Sequence, residues 1–163
     1  MSIMENWSEI KAIFKRSFRS SFHYAIATVS ESGEPHITPI GSLVLGKPGH
    51  GVYFEEFPHQ LPRNLEGNQQ VCVMAVDSGI SFWFRSLLRG KFISPPAVRL
   101  YGVAGKRREA TEKEIQLWQR RVRRVRFTKG HTMMWKKMRM VREVQFTHME
   151  PVHMGEMTKK LWK

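Results

Sequence analysis

Ile3, Trp7, Ile10, Ile13, Phe14 and Phe18 recur at helical spacing, with Lys11, Lys15, Arg16 and Arg19 mostly elsewhere on the wheel. This pattern predicts an amphipathic helix over residues 3–18. Ser2 and Glu5 stand at capping-box spacing ahead of it, hydroxyl and carboxylate each reaching a free backbone N–H. The period then changes. Residues 24–29 are β-branched and apolar, Ser32-Gly33 supplies a turn, and strand pattern resumes from His36 to Leu45, so a β-hairpin is expected. Gly46 to Gly51 marks a second turn, and Val52-Tyr53-Phe54 opens a third strand. Pro58 to Asn68 reads as a loop and short helix, with Pro62 in its first turn. Val71 to Val76 has the unbroken apolar character of a central strand, and the aromatic-rich stretch from Ser81 to Leu87 is read as another.

Past a loop with Gly90, Pro95 and Pro96, residues 97–104 form a further strand. Thr111 and Glu114 repeat the capping-box spacing, and Ile115, Trp118, Val122 and Val125 make one apolar stripe. A basic helix over about 111–126 follows from this stripe, with Arg120, Arg121, Arg123, Arg124 and Arg126 on its remaining surface. Residues 140–149 suggest a last strand, and 150–163 a tail. Several short strands joined by turns imply an antiparallel barrel or sandwich rather than a doubly wound sheet. There is no Gly-rich turn of the phosphate-loop type between a strand and a helix.

Composition narrows the class. The 163 residues are 41% apolar and include 10 Phe, 5 Trp and 3 Tyr, which argues against a disordered chain and for one domain spanning residues 1–163. No apolar run approaches the roughly 20 residues that cross a bilayer, and the first six residues lack a signal-peptide core. A single cysteine, Cys72, leaves no internal disulfide or Cys-rich zinc site. A cytoplasmic protein without a membrane partner is the expectation. Charge is the outlying property. Of the net +13, residues 106–142 hold +11, from 14 basic and 3 acidic side chains. Such a block points to an anionic partner or to a solvated face.

The stretch from Ala27 through Ser32-Gly33-Glu34-Pro35-His36 to Thr38-Pro39-Ile40-Gly41 resembles the first hairpin of the pyridoxamine 5′-phosphate oxidase-like, FMN-binding split-barrel family. The likeness continues at Val52-Tyr53-Phe54, at Pro62-Arg63-Asn64-Leu65-Glu66-Gly67-Asn68, at Val71-Cys72-Val73-Met74 and at Arg99-Leu100-Tyr101-Gly102-Val103-Ala104. It covers about residues 7–105. The resemblance implies a mainly β, α+β fold: a six-stranded antiparallel split β-barrel with flanking helices, with the barrel at about 22–105. It also implies a homodimer with FMN in a groove at the subunit interface.

By the same resemblance, Pro39, Ile40 and Gly41 lie against the flavin ring, and Thr38 falls at a phosphate-contacting position. Phe54 and Glu55 meet the pyrimidine edge, and Arg63 and Asn64 open the short helix toward the phosphate. The family's usual hydroxyl and cation ahead of that helix are replaced by His59-Gln60-Leu61, where His59 and Gln60 can still donate hydrogen bonds. The C-terminal Trp and Arg signature of true pyridoxamine phosphate oxidases is not recognisable in residues 155–162, which disfavours that activity. The functional expectation is an FMN-binding oxidoreductase acting with a reduced nicotinamide or small-molecule substrate. Haem or a deazaflavin is the alternative planar ligand.

Other constellations carry less. The seven histidines show no metal-ligand spacing, Cys72 sits in an apolar strand, and one aspartate, Asp77, without a nucleophile elbow leaves little for hydrolysis. Met133, Met134, Met138 and Met140 cluster around Trp135, as adaptable packing or as a lid over an aromatic ligand. A second functional class is nucleic-acid binding by Lys106–Arg142, in which aromatics interleave with cations. On the helical wheel, Arg120 to Arg124 are expected to point away from the barrel. Residues near Lys129–Lys137 are expected to supply the cofactor groove.

Overall fold

A computed structural model describes residues 2–162. The first helix, α1 (Trp7–Ser21), begins four residues later than its apolar spacing suggests. Glu5 N–H reaches Ser2 Oγ at 3.5 Å, but within a turn before the helix. Trp7, Ile10, Ile13 and Phe14 are buried as one stripe, and Phe22 ends the helix in the left-handed region with its N–H on Phe18 O.

Seven strands follow, where the resemblance implies six: β1 (Tyr24–Val29), β2 (Pro35–Ile40), β3 (Val44–Leu45), β4 (His50–Phe54), β5 (Gln70–Val76), β6 (Ala97–Glu109) and β7 (Met140–Pro151). The expected strand from His36 to Leu45 is interrupted at residues 41–43, which adds one strand. All pairings are antiparallel, in the order β2-β1-β5-β6-β7-β4-β3. The two edge strands, β2 and β3, are consecutive in the chain. Laid flat, seven strands would part them by about 29 Å, yet the four residue steps from Ile40 to Val44 reach at most about 14 Å. The sheet must therefore curl into a barrel, left open between β2 and β3 because those edges do not pair.

Inside the barrel lie Ile26, Tyr53, Val73, Leu100 and Val144, with α1 closing one side through Ile10 and Ile13. β6 and β7 bend through register shifts at Tyr101/Gly102 and Ala104/Arg107. Gly102 is required there, because a Cβ would collide with the Gln145 backbone.

The remaining helices are α2 (Gln60–Gly67), α3 (Ile80–Arg89), α4 (Glu112–Val122) and α5 (Lys129–Met134). The stretch from Ser81 to Leu87, read from its aromatics as a strand, is helical. Gly79 caps its start and Gly90, at φ 62°, ends it with N–H bonds from Gly90 and Lys91 to Leu87 O and Ser86 O. Ser86 is its buried residue, while Phe82 and Trp83 pack on Phe92. Ile80, Phe84, Leu87 and Leu88 face solvent, Ile80 at 87% exposure. The basic helix is shorter than its stripe: α4 stops at Val122 and continues as a 3-10 turn over Arg123–Val125.

α4 builds a second, smaller core on the outer face of β4 and β7. There Trp118, 2% exposed, packs with Phe54, Val122, Met138 and Val141. Glu55, just past β4, is tied to β7 by Arg142, whose Nε and Nη2 meet the two carboxylate oxygens at 2.8 and 2.7 Å. Tyr53 donates to the same carboxylate at 2.9 Å, and Arg142 Nη1 to Gly105 O at 2.8 Å. Both ions of the pair are buried.

Arg142→Met would leave the buried Glu55 carboxylate with only the half-exposed Arg107, 3.9 Å away, as a cation, and should cost toward the lower end of the about 3–5 kcal/mol of a broken buried pair. Tyr53→Phe removes one neutral donor and should cost about 1–3 kcal/mol. Urea denaturation should rank the two in that order, with unchanged slopes.

Candidate functional site

The loop between the barrel's open edges forms the floor of a cleft of about 930 Å³. One wall is the C-terminal half of α1 with the segment after it: Phe14, Phe18 and Phe22 alternate with Lys11, Lys15 and Arg19. The opposite wall is α4 and the segment beyond it, through Trp118, Arg121, Val122, Arg124, Met134 and Trp135. Pro39 to Leu45 run between them, and Phe54, Phe57 and Pro58 close one end. The cleft is thus bounded on one side by the barrel core and on the other by the outer core of Trp118.

Arg121 organises the floor. It lies three residues after Trp118, hence beside the apolar stripe and not opposite it. Its Nη1 donates to Leu43 O at 2.6 Å and its Nη2 to Tyr24 Oη, while the guanidinium covers the Phe18 ring at 3.8 Å. Tyr24 Oη in turn donates to Phe14 O at 3.1 Å. Burial pushes the Tyr24 hydroxyl above its ordinary range against the opposing pull of Arg121. The tyrosine stays a neutral donor. The expectation that Arg120 to Arg124 all point away from the barrel is therefore overturned for Arg121, whereas Arg124 stays exposed at the cleft.

The ten sequence-derived site residues divide. Pro39, Ile40, Gly41 and Phe54 line the cleft together. Gly41 has a structural reason to be glycine: a Cβ there would stand 2.7 Å from Phe22 O. The Phe54 amide and carbonyl are both engaged by Ser42 Oγ, at 3.0 and 3.1 Å. The other six lie outside. Thr38 sits opposite Ile26 with its Oγ1 buried and unpartnered. Glu55 is held by Arg142 and Tyr53, and its N–H donates to Met140 O at 2.9 Å. His59, Gln60 and Arg63 are exposed at the start of α2. Asn64 is buried and donates to Thr28 Oγ1 at 2.9 Å while accepting from Gln60. Of the stretch from Lys129 to Lys137, Met134 and Trp135 reach the cleft.

Sequence reasoning missed Lys15, Arg19, Tyr24 and Arg121. A usable signal was present: Lys11, Lys15, Phe18 and Phe22 fall at i, i+4, i+7 and i+11, one helix face.

The other chemical candidates stay structural. Burial pushes the Cys72 thiol up, away from a reactive thiolate. Asp77 is buried, paired with Arg16 at 3.2 Å, and accepts the Gly79 N–H at 3.0 Å. Among the described residues, no three His, Cys, Asp or Glu side chains gather as a metal site. No described helix is long and apolar enough to cross a membrane.

The family model described as pyridoxamine 5′-phosphate oxidase matches residues 10–153. The chain belongs to that family. Solved structures agree in fold. HupZ of Group A Streptococcus is 16% identical, with a TM-score of 0.59 over 89% of this chain and 92% of its own. An FMN-binding protein from Syntrophomonas wolfei subsp. wolfei is 14% identical, with a TM-score of 0.56 over 92% and 94%. HutZ of Vibrio cholerae, described as a haem storage protein, is 18% identical, with a TM-score of 0.50 over 93% and 95%. No curated protein matches the chain. The segment between β6 and β7 supplies this chain's second cleft wall.

That wall is anchored by ions. Arg108 on β6 meets Glu114 of α4 at 2.8 and 3.0 Å and Glu143 of β7. Glu114 also completes the capping box with Thr111. The Arg108 hydrogen bonds hold the Glu114 carboxyl down to about 2 against the opposing effect of burial, with help from the Thr111 N–H. A depressed folded-state pKa contributes stability above the unfolded value near 4.5 that is lost as pH falls toward about 2. Glu114→Gln keeps the cap but not the charge. It should cost about 1 kcal/mol at neutral pH, since Arg108 is one-third exposed and solvent screens the pair. The difference from the parent should shrink below pH 4.5 and vanish near pH 2 in thermal melts followed across that range.

Proposed function

We propose that the cleft binds FMN and that the protein is a flavin-dependent oxidoreductase working as a homodimer. The observation that carries this reading is the cleft itself: aromatic and aliphatic walls, a peptide floor from Pro39 to Leu43, five Lys or Arg side chains and no carboxylate. A flavin mononucleotide presents a flat apolar ring and a doubly charged phosphate, and these walls fit both. Phe22, Phe57 and Met134, exposed along the cleft, supply apolar surface for the ring. Arg121, already fixed by Leu43 O and Tyr24 Oη, keeps N–H groups for a polar edge or an anion.

When bound, the flavin supplies two-electron redox chemistry with a reduced nicotinamide or small substrate. The chain's own residues orient it, exclude water from one face and set the local charge. The positive field raises the affinity for reduced, anionic ring states relative to neutral ones.

A second reading rests on His23 and Met134, two exposed side chains with metal-ligating atoms in the same cleft. They suit a haem, whose propionates the same cations would meet. The nucleic-acid reading loses part of its basis. Arg108, Arg121 and Arg142 are engaged within the fold, so Lys106–Arg142 is not one continuous cationic strip.

Visible spectra of the purified protein titrated with FMN and separately with haem separate these readings. Perturbed flavin bands with quenched flavin fluorescence are expected, at one FMN per chain. A Soret shift with haem and no response to FMN would transfer the cleft to haem.

A further inference from the structure

We infer that α3 docks on an anionic lipid surface, its apolar face entering the interface and its flanking cations holding the lipid phosphates. This goes beyond the flavin reading and involves no residue of the cleft.

α3 is amphipathic in an inverted sense. Ile80, Phe84, Leu87 and Leu88 stand at i, i+4, i+7 and i+8, so they share one face, and they are between 61% and 87% exposed. Among the described residues nothing covers this face. Ser86 is the helix's buried residue, and Phe82 and Trp83 make the contact with Phe92. Single exposed apolar residues are ordinary, but four large ones grouped on one helix face mark an interaction surface.

Charge decides the partner. Arg85 and Arg89 form the next row of the helix, between the apolar face and Ser86. With Lys91 and Ser81 they line a pocket of about 110 Å³. No acidic residue occurs from Ser78 to Arg108, and Asp77, just ahead of the helix, is buried and paired with Arg16. The pocket is well below the roughly 300 Å³ at which small-molecule sites begin, yet three cations around it suit a phosphodiester. An anionic phospholipid presents that group directly above its acyl chains, the same pairing of charge and apolar surface that α3 displays. A second copy of the chain fits less well: two α3 helices packed face to face would bring both sets of Arg85, Arg89 and Lys91 together with no carboxylate between them.

The helix is preformed for this contact. Trp83 Nε1 donates to Asp77 O at 2.6 Å, and the Gly90 and Lys91 amides close the C-terminus on Leu87 O and Ser86 O. The Phe92 amide ties the following segment to Met157 O at 3.1 Å. Little ordering entropy therefore opposes docking. The expectation of no membrane partner rests on spanning segments, and a helix lying in the interface plane needs none.

Vesicle co-sedimentation of the full chain tests the inference at about 0.15 M salt, where exposed charges more than roughly 8 Å apart are largely screened. Binding is expected to phosphatidylcholine vesicles carrying about one-third phosphatidylglycerol, and not to phosphatidylcholine alone. Phe84→Ser with Leu87→Ser and Leu88→Ser, all exposed, leaves the charge unaltered and should weaken binding at least about tenfold. Arg85→Gln with Arg89→Gln should weaken it about fivefold per cation. Arg123→Gln with Arg126→Gln, both exposed, removes the same charge elsewhere and should stay within about twofold. Binding that survives both α3 variants, or falls as far in the Arg123 and Arg126 pair, would overturn the inference, because the net charge of +13 would then act without α3. A parent that leaves the anionic vesicles unbound would overturn it too. A sedimentation mass halved by the Ser variant, with vesicle binding intact, would give the face to a second copy instead. Release of the parent by millimolar inorganic phosphate, beyond the effect of chloride at equal ionic strength, would give the pocket to a free anion and equally overturn the lipid assignment.

Discussion

The three residues between Ile40 and Val44 constrain the fold more than any single contact. They join the two outermost strands of a seven-stranded sheet, and a link that short cannot exist unless the sheet curls until its edges nearly meet. Because those edges do not pair, their connecting peptide is left outside the ladder, and something else must satisfy it. Ser42 Oγ bonds the Phe54 amide and carbonyl, and Arg121 takes Leu43 O. The cation that completes the floor of the cleft is thus also the donor that satisfies the seam of the barrel.

This double use explains why the cleft is bounded by two separate cores. The barrel packs around Ile26, Val73 and Leu100, and α4 packs through Trp118 onto Phe54 and Val141 outside it. Apolar side chains attract without direction, so spacing comes from directional bonds. The β4–β7 ladder sets the register of those strands, with Glu55–Arg142 satisfying buried charge across it. Arg108–Glu114 ties α4 to β6 where no ladder joins them.

Much of this is legible in the sequence, and the failures have physical causes. Six of the seven strands, α1, α2 and α4 follow from period and turn chemistry, as with Thr111 and Glu114 at the start of α4. The strand pattern from His36 runs on through residues 41–43 because Ser42 and Leu43 continue an apolar alternation. Its break depends on closure of the whole barrel, which no local window contains. Ser81 to Leu87 misleads for a different reason. Its Phe and Trp residues favour strands by propensity, while its helical spacing leaves Phe84 and Leu87 outward with Ile80 and Leu88, against the usual sense of amphipathicity. The glycines at 79 and 90 are the better signal. At the site, Pro39, Ile40, Gly41 and Phe54 follow from family resemblance. Arg121 does not, because α4 lies about 80 residues away and outside the resembling stretch.

Arg121 shows how a charge-rich helix divides its cations. Five arginines within seven residues suggest one solvated face, yet successive helical residues are turned by about 100° and only some of them can share a direction. Arg121 falls one turn from Trp118, so burying the tryptophan carries the arginine to the same surface. A guanidinium brought there must be satisfied, and a barrel seam with a free carbonyl and a tyrosine hydroxyl satisfies it. Fold closure, packing of the outer core and the charge of the cleft are therefore linked through one side chain. The strong positive balance of residues 106–142 consequently has two fates: Arg108 and Arg142 hold the walls in register, and Arg121 and Arg124 set the potential of the space between them.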